Sequence, residues 1–198
     1  MGKLILASRS PRRKQLLEAL GIDLEVVPGS ADESLRPGLP VELALEEVAV
    51  RKASGVRQDL GADAWVLAAD TAVVLDQRVL GKPRDRAEAL GMLRSLAGRT
   101  HRVITGVGLL GPDYAKSFSV ETSVSFQELR EAHLVWYASL DEPYDKAGAY
   151  AIQGQGGFLV ESIRGSYTNV VGLPMAETVR LLDSVGLTSW TPRSPTHD

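Results

Sequence analysis

The stretch Trp65–Ala69, WVLAA, is five apolar residues without a polar break, followed at once by Asp70. A run of this kind, with no alternation, suits a buried strand, and such strands belong to sheets covered by helices. The flanking chain supplies both kinds of element. Leu4 to Ala7 is another apolar run, which breaks at Ser8. Ser10 is then a good N-cap, Pro11 suits the first helical position, Leu16, Leu17 and Leu20 follow at helical spacing, and Gly21 is set to stop the helix. Leu24–Val27 reads as a strand closed by Pro28 and Gly29. After the polar loop GSADESLRPGLP, Val41 to Arg57 has the apolar period of a long helix. Val73–Leu75 and Arg78–Leu80 predict a hairpin about Asp76 and Gln77, and Asp85 with Glu88 predicts a capped helix to about Leu96. In the second half, 102–110 and 118–126 read as long strands about a Gly111-Pro112-Asp113 turn. A helix over 129–138, short strands at 149–153 and 158–163, and a helix opened by Pro174 and ended by Gly186 complete the pattern. The fold class is α/β with a long mixed sheet. The tail TSWTPRSPTHD reads as disordered.

The chain of 198 residues is long enough for one large domain or two small ones, and no repeat or linker divides it. Its 22 Lys and Arg against 25 Asp and Glu give a net charge of −3, which argues against broad nucleic-acid or membrane binding. With no cysteine, disulfides and thiolate metal sites are excluded. No apolar run reaches membrane-spanning length, and Ser8 to Lys14 interrupts any signal-peptide core, so the expectation is a cytoplasmic protein.

Arg12 and Arg13 fall in the first turn of the first helix, where the helix dipole is already positive. An anion would hold them there. Asp70, at the carboxyl end of its apolar run, lies where α/β sheets bind ligands; a turn or helix cap is the plainer alternative. Lys52 lies on the apolar face of the long helix, as a snorkelling lysine would. Lys82 sits in a constrained Gly-Lys-Pro loop and Glu33 in an acidic loop, and either could be merely solvated. Together they offer two carboxylates for a divalent cation and four basic groups for phosphates. Other templates fail: there is no Walker loop, no GxGxxG after a strand and no GxSxG elbow. His101, His133 and His197 do not pair at metal-ligand spacing. SPRR also fits a phosphorylation site or a short basic patch, although its strand-to-helix position favours neither.

LASRSPRR, Asp32-Glu33, VAVRKA, AADT, LGKPRD, THRVITGV, DKAGAYAIQG and GSYTNVVGLP, in this order, resemble the Maf family of nucleotide pyrophosphatases. The resemblance implies one Maf/ITPase-like α/β domain over 1–188 with an elongated, curved mixed sheet, usually a homodimer, and a tail at 189–198. It implies hydrolysis of a nucleoside triphosphate to monophosphate and pyrophosphate with a divalent metal, Mg or Mn. Asp70 matches the catalytic acidic residue and, with Glu33, the metal site. Ser8, Arg13, Lys52 and Lys82 match the substrate-phosphate shell.

Within that family, Arg12, Thr71 and Gln153 resemble the branch that acts on dTTP and UTP. The other branch, acting on a methylated guanine nucleotide, usually has a bulky non-basic residue, glutamine and glutamate there. A neutral amide can donate to and accept from a pyrimidine edge, whereas a glutamate suits a guanine edge, which offers donors. Ala151 departs from the family's usual glycine. Two rival roles follow from the resemblance: a regulatory binding protein in cell division, and a purine triphosphate pyrophosphatase of the inosine type. The intact set Glu33, Lys52, Asp70 and Lys82, which a pure scaffold has no reason to keep, argues against the first; Thr71 and Gln153 argue mildly against the second.

Overall fold

The computed structural model describes residues 3–61, 63–188 and 190. The expected tail, 189–198, lies outside them except for Trp190, whose indole N–H reaches Asp183 at 3.0 Å. The elements run β1 (Leu4–Leu6), α1 (Pro11–Ala19), β2 (Leu24–Val26), α2 (Val41–Leu60), β3 (Trp65–Leu75), β4 (Arg78–Leu80), α3 (Arg86–Leu96), β5 (Thr100–Gly111) and β6 (Tyr114–Phe126). After these come α4 (Glu131–Tyr137), three 3₁₀ turns between 142 and 159, β7 (Val160–Arg164), α5 (Tyr167–Val171) and α6 (Met175–Ser184). Seven strands form one mixed sheet in the order β2-β1-β3-β5-β6-β7, with β4 added to β3. β1 runs parallel to β2 and β3, and the remaining pairs are antiparallel.

β3 joins two segments that the sequence reads separately, the apolar run and the first arm of the hairpin. One edge of β3 pairs with β5 from Val66 to Val74. The other edge pairs with β1 only up to Leu67 and with β4 only from Val73. Between them, Ala68–Ala72 has no strand on that side, which leaves a notch in the sheet. Alternate β3 side chains face opposite layers. Val66 and Ala68 pack with Ala53 and Val56 of α2, while Ala72 and Val74 meet Leu45 of the same helix. Leu67 and Ala69 pack with Leu17 of α1 and Leu182 of α6, and Val73 and Leu75 with Leu93 of α3. Asp70 therefore belongs to the α2 layer and Thr71 to the opposite one.

The alternate glycines of TGVG let α2 lie close on β5. A Cβ at Gly106 would stand 2.4 Å from the carbonyl carbon of Leu45, and one at Gly108 would stand 3.1 Å from the amide nitrogen of Val50. Elsewhere the expectations need adjustment. Leu20, which follows Leu16 and Leu17 at helical spacing, is 44% exposed while Leu17 is buried. Residues 149–153 form no strand, because Ala149 adopts φ 59° and the Ala151 N–H is bonded to the Tyr137 hydroxyl instead of a neighbouring strand. α5 was not expected; Ser166 caps it by accepting from the Asn169 N–H.

His101 is neither ligand nor surface group. It is 2% exposed, its Nε2 meets the Tyr150 hydroxyl at 2.7 Å, and its ring packs edge-on against Phe126 and Tyr150. Burial lowers its pKa to about 4. The unfolded chain, with an ordinary histidine pKa near 6.5, binds the proton first as pH falls. His101 thus adds no pH dependence above about 6.5 and costs up to about 3 kcal/mol as pH falls to about 4. Chemical denaturation at pH 7 and pH 4.5 should show a larger loss for the wild type than for His101→Gln. Equal losses would mean that His101 is not linked to folding.

Candidate active site

The notch opens into a cleft of about 800 Å³ whose walls carry Ser8, Arg12, Arg13, Glu33, Lys52, Asp70, Thr71, Lys82 and Gln153. All nine sequence-derived candidates are therefore brought together, from both layers.

On the α1 side, the chain leaves β1 at Leu6, and Ser10 stands at the N-cap of α1 as expected, with its own N–H held by Ser8. The Ser8 Oγ accepts from the Ser10 N–H at 3.1 Å and from Arg13 Nη1 at 3.2 Å, while the Ser10 side chain makes no cap bond. Arg13 also donates through Nε to the Gly172 carbonyl at 2.8 Å and through Nη2 to the Thr71 hydroxyl at 3.0 Å. Burial lowers its pKa and the nearby Asp70 charge raises it in part; a guanidinium keeps its proton regardless. Thr71 Oγ1 lies 2.9 Å from Thr105 Oγ1 as well. Its hydroxyl is thus engaged within the protein.

On the α2 side, Lys52 is 11% exposed and does not snorkel. Its Nζ sits 2.5 Å from Asp70 Oδ1 and 2.9 Å from Glu33 Oε1. Asp70 lies in the middle of β3, not at a strand end, because the pairing of β3 with β5 runs on through Val74; the Lys52 ammonium meets its carboxylate there. The parallel part of β3 does stop just before it, at Leu67. Burial would raise the Glu33 carboxyl, but the hydrogen bond and charge of Lys52, with Lys82 and Arg13, outweigh that and hold it below the usual range.

At the mouth, Arg12 Nη1 pairs with Asp145 Oδ2 at 3.3 Å, and Asp145 also pairs with Lys146. Burial would raise the Asp145 carboxyl, and Lys146 and Arg12 reverse that. Asp145 and Lys146 line the cleft but were not singled out in the sequence; the adjacent opposite charges in DKAGAY were the available signal. Lys82 and Gln153 are exposed on the same cleft.

Among the described residues, no group of three or more His, Asp or Glu side chains could hold a metal alone. Glu33 and Asp70 share one ammonium, and two hard carboxylates fit a magnesium-type cation that takes its other ligands from phosphate and water.

The profile of the Maf-like proteins matches residues 3–185. The chain belongs to the Maf-like family. Among curated Maf-like relatives, a dTTP/UTP pyrophosphatase of Myxococcus xanthus (strain DK1622) is 50% identical over 184 residues, 93% of each chain. A dTTP/UTP pyrophosphatase of Anaeromyxobacter dehalogenans (strain 2CP-1 / ATCC BAA-258) is 50% identical over 188 residues, 93% of this chain and 94% of that one. Among solved structures, the Staphylococcus aureus Ham1 protein is 15% identical, with a TM-score of 0.48 over 92% of this chain and 97% of that one. No helix among the described residues of this Maf-like chain is long and apolar enough to cross a membrane.

Proposed function

We propose that this chain hydrolyses dTTP and UTP between the α and β phosphates, releasing the nucleoside monophosphate and pyrophosphate, with a divalent cation, Mg or Mn. Relatives of about 50% identity over nearly the whole chain carry that activity in their names. The observation that supports it most is the pairing of Lys52 with Asp70 and Glu33 on one side of the notch, opposite Ser8 and Arg13 on the other. A binding protein would have no use for a desolvated ammonium between two carboxylates, facing a cleft.

In this reading the phosphates lie near the start of α1, and Ser8 offers its hydroxyl proton. Arg12 and Lys82 offset charge on the leaving pyrophosphate. Glu33 and Asp70 would hold the cation, which when bound draws charge from the phosphate being attacked. Asp70 is the proton acceptor for the attacking water, and Lys52 turns from the carboxylates towards phosphate. The Gln153 amide meets the pyrimidine edge. The role extends to removal of unwanted nucleotides in the cytoplasm by a homodimer. Free nucleotides, not nucleic acid, are the substrate of a chain with a net charge of −3.

Incubation of dTTP or UTP with Mg or Mn should release pyrophosphate as the first product, and a chelator should stop it. The nucleoside diphosphate with orthophosphate as first products would overturn the reading. Gln153→Glu should lower kcat/KM for dTTP by roughly 5- to 150-fold, the effect of one buried polar mismatch, and raise the value for a methylated GTP. A parallel fall for both would mean that Gln153 supports the site generally.

A further inference from the structure

We propose that Glu142 is a positioning residue for nucleotide selection, clamping the 151–156 loop so that Gln153 is held at the cleft. The Gln153 side chain has no hydrogen bond to the protein among the described residues and is exposed, so its orientation must come from the backbone on either side. Both sides are tied to one place. The Glu142 carboxylate accepts from the Gln155 N–H at 3.1 Å and the Gly156 N–H at 2.8 Å, and from the Tyr137 hydroxyl at 2.8 Å. That hydroxyl in turn accepts from the Ala151 N–H at 3.1 Å. The anchors bracket Gln153, two residues before it and two and three after.

Burial pushes the Tyr137 hydroxyl well above its ordinary pKa, so it stays protonated and able to donate. The fit leaves no room for other residues. Gly154 has φ +73°, and a Cβ there would lie 2.4 Å from Glu142 Oε2; one at Gly156 would lie 2.4 Å from the Tyr137 hydroxyl. The 3₁₀ turn that carries Glu142 ends in Asp145, the partner of Arg12.

The inference rests on Gln153 reading the base, and the test separates the two. In Glu142→Gln, the amide would present an N–H to backbone donors that a carboxylate accepts. The amides of Gln155 and Gly156 should exchange faster with solvent in the substrate-free protein. KM for dTTP should rise by roughly tenfold and the preference for dTTP over dCTP should narrow. The values of kcat and of competitive inhibition by pyrophosphate should hold, because the phosphate end is untouched. Tyr137→Phe, which frees the Ala151 N–H and removes one of the three donors to the Glu142 carboxylate, should give a weaker form of the same pattern and serves if Glu142→Gln does not fold. Faster exchange with an unchanged KM and preference overturns the inference. So does a fall in kcat and in pyrophosphate affinity alongside the change in KM, which marks a merely structural role. A wild type without preference among the nucleotides overturns the Gln153 reading, and the inference with it; a wild type with a preference that both variants keep overturns the inference alone.

Discussion

Asp70→Asn should fold and lower turnover by on the order of 10²- to 10⁴-fold, the usual effect of losing a general base. Asparagine is nearly isosteric, so the β3 pairing from Val66 to Val74 has no reason to change. Lys52 keeps Glu33 at 2.9 Å as a counter-charge, so the substitution does not strand a desolvated ammonium. The lost chemistry is specific: an amide cannot take a proton from water and is a poor ligand for a hard cation. Glu33→Gln is the useful control. Glu33 is 62% exposed at its side chain against 18% for Asp70, and it stands on a loop instead of a strand. It should cost activity through metal affinity, and high metal should restore it in part. Asp70→Asn should not recover with metal. A folded Asp70→Asn enzyme of near wild-type rate would make Asp70 a structural partner of Lys52 and nothing more.

Arg12, Arg13, Lys52, Asp70, Lys82 and Glu33 stood out as charged groups in particular places, none decisive alone, whereas Ser8, Thr71 and Gln153 were legible only through the known order of the motifs around them. Their arrangement was not legible. Nothing local says that β3 continues through Asp70; the strand is carried by its pairing with β5 from Val66 to Val74, and the carboxylate meets an ammonium eighteen positions earlier in the chain only after α2 lies on the sheet. That contact depends in turn on Gly106 and Gly108, which in the sequence look like weak points in a strand. Residues 149–153 failed as a strand for a related reason. The apolar pattern of AYAI is strand-like, but the Tyr137 hydroxyl takes the Ala151 N–H that a sheet would have used, and Ala149 turns the chain with φ 59°. Ser10 holds the N-cap position as expected but makes no side-chain cap bond; Ser8 takes its N–H and Arg13 as well. In each case the deciding partner was distant in sequence, or was a side chain whose second role was invisible.

Arg13→Lys should lower kcat/KM by roughly 10²- to 10³-fold and destabilise the fold by about 3–5 kcal/mol, although the charge is kept. The two arginines that open α1 seem equivalent in the sequence, and an anion would explain both. In the structure they divide the work. Arg12 is at the mouth with an exposed carboxylate partner. Arg13 is 9% exposed and ties three segments together: the β1–α1 turn through Ser8, the notch edge of β3 through Thr71, and the end of α5 through the Gly172 carbonyl. These bonds use the spread of a planar fork. An ammonium can reach one acceptor well; Ser8 and Thr71 keep the Ser10 N–H and the Thr105 hydroxyl, but each lost buried bond to a charged donor costs about 1–3 kcal/mol. The positive potential near the phosphates survives the change, because the ammonium lies in the same pocket; what is lost is the fixed position of Ser8 and Thr71 on opposite sides of the notch. Arg12→Lys, with no such fork to replace, should cost little stability. Thermal melts of the two variants, beside their kinetics, decide the matter. If Arg13→Lys melts with the wild type and loses only substrate affinity, then Arg13 is a phosphate ligand of the ordinary kind, and the two faces of the notch are held together by the strand pairing alone.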